Sequence, residues 1–216
     1  MWSGRPNGSL VAELEGTAPG GAPEGTAPGG APDELAPGRA LDVGAGEGGD
    51  ALWLAEQGWT VTASDISSRA LERIGTEADR RGLRVECRQR DANALDAFET
   101  GAFDLVSAQY ASIPRTPDGR GVRNLMDAVA PGGLLLVVSH DLEPMRQPID
   151  TRSLSQAFDP DAYLRTDDFA DALAGTPAWD VEVHEKRPRP PGAASAHHVD
   201  DVVLRARRRS GAPTRS

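Results

Sequence analysis

The run Leu41-Asp42-Val43-Gly44-Ala45-Gly46-Glu47-Gly48-Gly49 constrains this chain more than any other feature. An apolar strand end feeds a glycine-rich turn, and a helical pattern from Asp50 to Gln57 follows. With no Cβ at Gly44, Gly46 and Gly48 the backbone turns sharply and admits a ligand closely, while the helix aims its N-terminal N–H groups at the same place. About twenty residues on, Thr60-Val61-Thr62-Ala63-Ser64-Asp65 reads as a second strand ending in an acid placed to accept the hydroxyls of a ribose. Strand, turn, helix and acid-terminated strand together describe a nucleotide-cofactor site.

The glycines alone admit two cofactor classes. Gly44, Gly46 and Gly49 fit G-x-G-x-x-G, the dinucleotide fingerprint, which implies a nicotinamide cofactor and an NAD(P)-dependent oxidoreductase. Asp42 and Glu47, however, set carboxylates where a pyrophosphate would lie, and like charges repel. A ligand without phosphate, carrying an amino group and a sulfonium, is attracted by the same acids.

The spacing Asp42-x-Gly44-x-Gly46-x-Gly48 resembles motif I of the class I S-adenosyl-L-methionine (SAM) methyltransferases, where the acid orders the loop and faces the methionine end of the cofactor. Further motifs follow in order. Arg90-Asp91-Ala92-Asn93 is similar to the third-strand motif that brackets the adenine, although by itself it is an ordinary surface turn. Phe103 to Tyr110 resembles the fourth-strand motif, and Ala130-Pro131-Gly132-Gly133 to Val138 the helix stop, turn and buried fifth strand. The cofactor-binding set implied is Asp42, Gly44, Ala45, Gly46, Gly48, Asp65, Ile66, Asp91, Ala92 and Gln109. The resemblance covers about residues 38–207 and specifies the superfamily rather than the acceptor.

Alternating apolar runs place strands near 39–43, 60–64, 83–88, 103–107, 133–138, 179–187 and 199–206, and helices near 49–57, 68–81, 120–130 and 166–174. Apolar strands alternating with helices predict an α/β, Rossmann-like, seven-stranded and mostly parallel sheet with helices on both faces. The connection after residue 187 holds no helical pattern, so the last two strands are expected to pair antiparallel at the sheet edge. Ligands bind such sheets beyond the carboxyl ends of the strands, which gathers Gly44, Asp65, Asp91, Gln109 and His140 around one crevice.

Upstream, Glu15 to Pro23 is repeated unchanged as Glu24 to Pro32, a tandem too rich in Pro and Gly to bury a core. The expected organisation is an N-terminal lid segment at 1–14, a disordered linker at 15–37, the cofactor domain at 38–207 and a flexible tail at 208–216. Trp2 to Leu14 is similar to the segment before motif I in small bacterial methyltransferases of the tellurite-resistance and thiopurine types, where it folds over the cofactor. Those relatives carry more chain upstream, which leaves closure of the site open and admits a SAM-binding protein without efficient catalysis as a further reading.

Methyl transfer needs chiefly alignment and desolvation, and a base only where the nucleophile holds a proton. His140, after the fifth strand in Ser139-His140-Asp141, is the candidate base, with Tyr110 or Asp141 as partner; the alternative is a structural role for His140 in its loop. His184 falls in a strand and reads as structural. His197 and His198 lack a third ligand nearby, so no metal is expected. A net charge of −10 disfavours nucleic acid, and Arg205, Arg207, Arg208 and Arg209 read as a solvated, frayed tail. A single cysteine, Cys87, points to a reducing cytoplasm, and no stretch approaches the ~20 apolar residues of a membrane span. The expected partner is a small-molecule methyl acceptor, for a protein acting as a monomer or homodimer.

Overall fold

In the computed structural model, which describes residues 4–15, 35–141, 159–189 and 200–211, the glycine turn sits at the middle of one seven-stranded sheet. The strands are β1 (Arg39–Val43), β2 (Thr60–Asp65), β3 (Val85–Gln89), β4 (Phe103–Gln109), β5 (Val129–His140), β6 (Trp179–Pro188) and β7 (Asp200–Arg208). Their order across the sheet is β3-β2-β1-β4-β5-β7-β6. The first five pair in parallel, and β7 lies between β5 and β6, antiparallel to both. This is the expected architecture, with the antiparallel pair at the edge.

Helices cover both faces. On one face α1 (Gly8–Leu14), α2 (Gly49–Glu56) and α3 (Ser68–Arg81) bury Leu10, Leu54, Leu71 and Ile74 against alternate residues of the sheet such as Leu105, Leu134 and Leu136. On the other, α4 (Arg120–Ala128) and α5 (Thr166–Leu173) bury Val122, Leu125, Phe169 and Leu173 against Leu41, Val106 and Leu135. Local chemistry sets the ends of α3: the Ser67 hydroxyl accepts from Ala70 N–H, and Gly82 closes the helix in the left-handed conformation. Leu71, Ile74 and Ala78 then fall on its buried stripe.

The chain runs outward from β1 through β2 to β3 and returns to β4 on the other side of β1. Connections therefore diverge beyond the carboxyl ends of β1 and β4, opening a crevice there.

Two expectations need correction. The Ala130-Pro131-Gly132-Gly133 turn is a bulge within β5 rather than a break before it: Phe103 pairs with Val129 and Leu105 with Leu134, with Gly132 at a φ of 85°. The arginine run is not frayed. It lies on the last strand and beyond it, where Arg205 and Arg207 both pair with Glu182, Arg208 Nη1 donates to Val129 O at 2.6 Å, and Arg209 Nε to Asp180 at 2.9 Å. An antiparallel neighbour supplies partners that charge composition does not reveal. Both copies of the tandem repeat fall almost entirely outside the described residues, as do His197 and His198.

Candidate active site

At Gly44 the φ is +71°, and a Cβ there would stand 2.8 Å from the Ala111 Cβ, so both backbone conformation and space demand glycine. Gly44 and Ala45 N–H both donate to Ser64 O, at 2.8 and 3.1 Å, which fastens the turn to β2. Gly46 N–H donates to Asp65 Oδ2 at 2.9 Å, and Ser67 N–H to Asp65 Oδ1 at 2.8 Å. Each carboxylate oxygen has further acceptor capacity, so Asp65 holds the turn and still offers two positions to hydroxyl donors. Gly48 precedes α2 as its N-terminal cap residue.

Beside this turn lies a cleft of about 320 Å³ whose walls include Gly44, Asp65, Ile66, Asp91, Ala92 and Tyr110. Six of the residues expected in the site are thereby brought together. Ile66 is 69% exposed, a large apolar side chain left in water next to the acid that ends β2, and such a surface suits the face of an aromatic base. The loop after β4 completes the wall with Ser112, Ile113 and Pro114, which carry no periodic signal that a reading of the sequence could use.

Asp42 sits deeper, 1% exposed. One side of its carboxylate is held by Ala51 N–H of α2, and Oδ2 is buried without a hydrogen-bond partner among the described residues. Burial and the nearby Asp50 push its pKa well above the usual carboxylate range. Asp50 itself is pushed by burial up to about 6, opposed by a hydrogen bond from Asn7 N–H at 2.5 Å. That bond belongs to the N-terminal segment, which crosses the start of α2 so closely that a Cβ on Gly49 would lie 2.4 Å from Arg5 O. Asn7 Nδ2 is a second buried polar atom without a partner among the described residues. Neither Asn7 nor Asp50 stood out in the sequence, because their significance comes from the chain folding back.

Gln109 is not among the residues lining the cleft. Strand alternation places it with Ser107 on the face that carries Leu105; it is buried and donates to Ser107 Oγ at 2.9 Å.

Tyr110 and His140 do meet. Tyr110 has a φ of +52°, uncommon for a residue with a bulky side chain, and stacks on the His140 ring at 4.1 Å between centroids with 12° between planes. Its hydroxyl donates to Asp201 Oδ2 at 2.7 Å; burial and that carboxylate raise the phenol's pKa, so it keeps its proton at neutral pH. Arg189 stands over the same ring and brings Nη2 to 2.7 Å from His140 Nδ1. Asp141, expected beside His140, instead pairs with Lys186 at 2.5 Å. His184, read as structural, pairs with Asp167 of α5 at 3.2 Å.

Residues 40–133 match the family model described as a methyltransferase domain. The ubiquinone biosynthesis O-methyltransferase of Caulobacter sp. (strain K31) is 33% identical over 99 residues, covering 46% of this chain and 39% of that protein. The 2-methyl-6-phytyl-1,4-hydroquinone methyltransferase of Synechocystis sp. is 34% identical over 146 residues, covering 63% and 45%. Residues 40–133 thus carry the sequence pattern of a methyltransferase domain. The chain spans less than half the length of these two curated relatives. At the level of fold, the chain aligns over 98% of its length, and 85% of the other chain, with a structure described as "Conversion of a Disulfide Bond into a Thioacetal Group during Echinomycin Biosynthesis". The TM-score is 0.66 at 22% identity.

The residues of the site fit SAM, the cofactor that a methyltransferase domain implies. Asp42 Oδ2 is a buried acceptor and Asn7 Nδ2 a buried donor, the complement of an amino acid's ammonium and carboxylate. Asp65 and Ile66 suit a ribose and a base. Among the described residues no helix is long and apolar enough to cross a membrane.

Proposed function

We propose that this protein transfers the methyl group of SAM to a small-molecule acceptor, in the cytoplasm. The observation that carries the reading is Asp42, an unpaired carboxylate oxygen buried behind the glycine turn. A cationic ligand group compensates it, whereas a pyrophosphate would be repelled by Asp42 and Asp50 together, which weighs against a nicotinamide cofactor. Asp42, Asn7 and the turn of Gly44, Ala45, Gly46 and Gly48 would hold the methionine end, Asp65 the ribose, and Ile66, Asp91 and Ala92 the adenine. Bound there, SAM supplies an electrophilic methyl group. The relatives named for ubiquinone biosynthesis and for hydroquinone methylation support a quinol-type ring as the first acceptor to test.

The test is differential stabilisation. SAM at a hundredfold excess over Kd should stabilise the folded chain by about 2.7 kcal/mol, and NAD should not. A shift with NAD alone overturns the assignment. Incubation of labelled SAM with quinols, then thiols and metalloid oxyanions, separates a transferase from a protein that only binds SAM.

Affinity should also depend on pH with a definite sign. Asp50 binds its proton more tightly in the folded protein than in the unfolded one, so its contribution to stability grows as pH falls through about 6 towards the ordinary carboxylate value. A cationic ligand group prefers the ionised cluster, so SAM affinity should weaken below pH about 6, by up to about tenfold per pH unit for one linked proton. Titration calorimetry near pH 6 in buffers of different ionisation enthalpy should report proton release on binding; proton uptake would contradict this account.

A further inference from the structure

We infer that Arg189 is a positioning residue that locks His140 in the neutral Nε2–H tautomer, so that this histidine does not act as the base of the site. The consequence for catalysis rests on the methyltransferase reading; the tautomer itself does not.

A guanidinium has no acceptor, so the 2.7 Å contact between Arg189 Nη2 and His140 Nδ1 has one polarity: Arg189 donates and Nδ1 accepts. In a neutral imidazole the proton then resides on Nε2. Protonating Nδ1 would set two cationic donors face to face. The lock is rigid because Arg189 is itself held. Its side chain is 8% exposed, and its Nε and Nη2 donate to Asp201 Oδ1 at 3.1 and 3.0 Å. Asp201 is wholly buried and also accepts from Tyr110 OH and, at 3.2 Å, from Ser9 Oγ. The Tyr110 ring, stacked on one side of His140, fixes the plane of the imidazole. Among the described residues, the nearby acids Asp141 and Asp200 pair with Lys186.

His140 lies at the end of β5 and Tyr110 at the end of β4, the carboxyl-terminal side on which the cleft opens. A histidine that already carries its proton on Nε2 and has its other nitrogen occupied cannot relieve the acceptor of a proton. The geometry thus points to acceptors that ionise without help from this residue, such as acidic ring hydroxyls, thiols or oxyanions.

The experiment is long-range ¹H–¹⁵N correlation of the histidine rings in the ¹⁵N-labelled full chain at pH 7.5, without SAM. His140 is assigned by the signals that vanish in His140→Gln. The expected pattern for His140 is an unprotonated Nδ1 and a protonated Nε2. A proton on Nδ1, or averaging between the two tautomers, overturns the inference from the wild-type spectrum alone. In Arg189→Lys, which keeps a cation for Asp201 but loses the fork, the pattern should collapse to an average; persistence of the pure Nε2–H form removes Arg189 from the role. Tyr110→Phe keeps Arg189 and the ring stack and should preserve the wild-type pattern, and its collapse would transfer the role to the tyrosine hydroxyl. None of these readouts requires SAM binding, so their failure is separable from failure of the cofactor assignment.

Discussion

Asp201→Ala is expected to cost about 3–5 kcal/mol of folding stability, because it strands the buried Arg189 guanidinium without its counter-charge. The same change leaves the Tyr110 and Ser9 hydroxyls without their shared acceptor. For a chain of this size the loss corresponds to roughly 6–20 °C in Tm. Asp201→Asn retains one acceptor and should cost less, and the double change Asp201→Ala with Arg189→Met should recover part of the loss by removing the orphaned charge. Chemical denaturation of the three variants measures this directly. A single-variant loss under about 1 kcal/mol would mean that the cluster is solvated and contributes as a surface pair does.

Asp65→Ala is expected to weaken SAM binding by at least about a hundredfold. Two hydrogen bonds to a charged acceptor are worth about 3–6 kcal/mol together, and the variant also releases Gly46 N–H and Ser67 N–H, which order the turn. The unliganded protein should stay folded, since the acid lies at the mouth of the cleft and not in the core. Titration calorimetry on wild type and variant compares the affinities. Retained affinity would remove Asp65 from the ribose position. Asp65→Asn should fall between the two, keeping one oxygen but losing the charge.

Most of the sheet and the glycine turn were legible because their signals are local. Apolar runs placed β1 and β4, and α3, expected near 68–81, runs from Ser68 to Arg81 between the caps Ser67 and Gly82. Asp42, Gly44, Asp65 and Asp91 are equally local, each a defined step from a strand end. What escaped was the polar layer behind them. Ser9 reaches Asp201 across 192 positions and Tyr110 reaches it across 91, and no periodicity links partners so distant. The basic run at 205–209 misled for the same reason: its acids, Glu182 and Asp180, lie on the neighbouring strand β6. Gln109 was assigned to the crevice from its place at a strand end, but alternation turns its side chain to the face of Leu105, where it is buried beside Ser107.

The position of β7 bears on how the molecule is assembled. Among the described residues β6 pairs with no strand but β7, so as the polypeptide is made from its amino end β6 waits as an edge without β7 until residues 200–208 arrive. The helix α1, made before the sheet, depends on the same late event, because Glu13 is clasped by Arg187 and Arg205 and Ser9 by Asp201, all on β6 and β7. The segment that crosses the start of α2 is thus made before the two strands that fasten it. A growing chain leaves α1 unfastened until β7 slides between β5 and β6 and supplies Asp201 and Arg205.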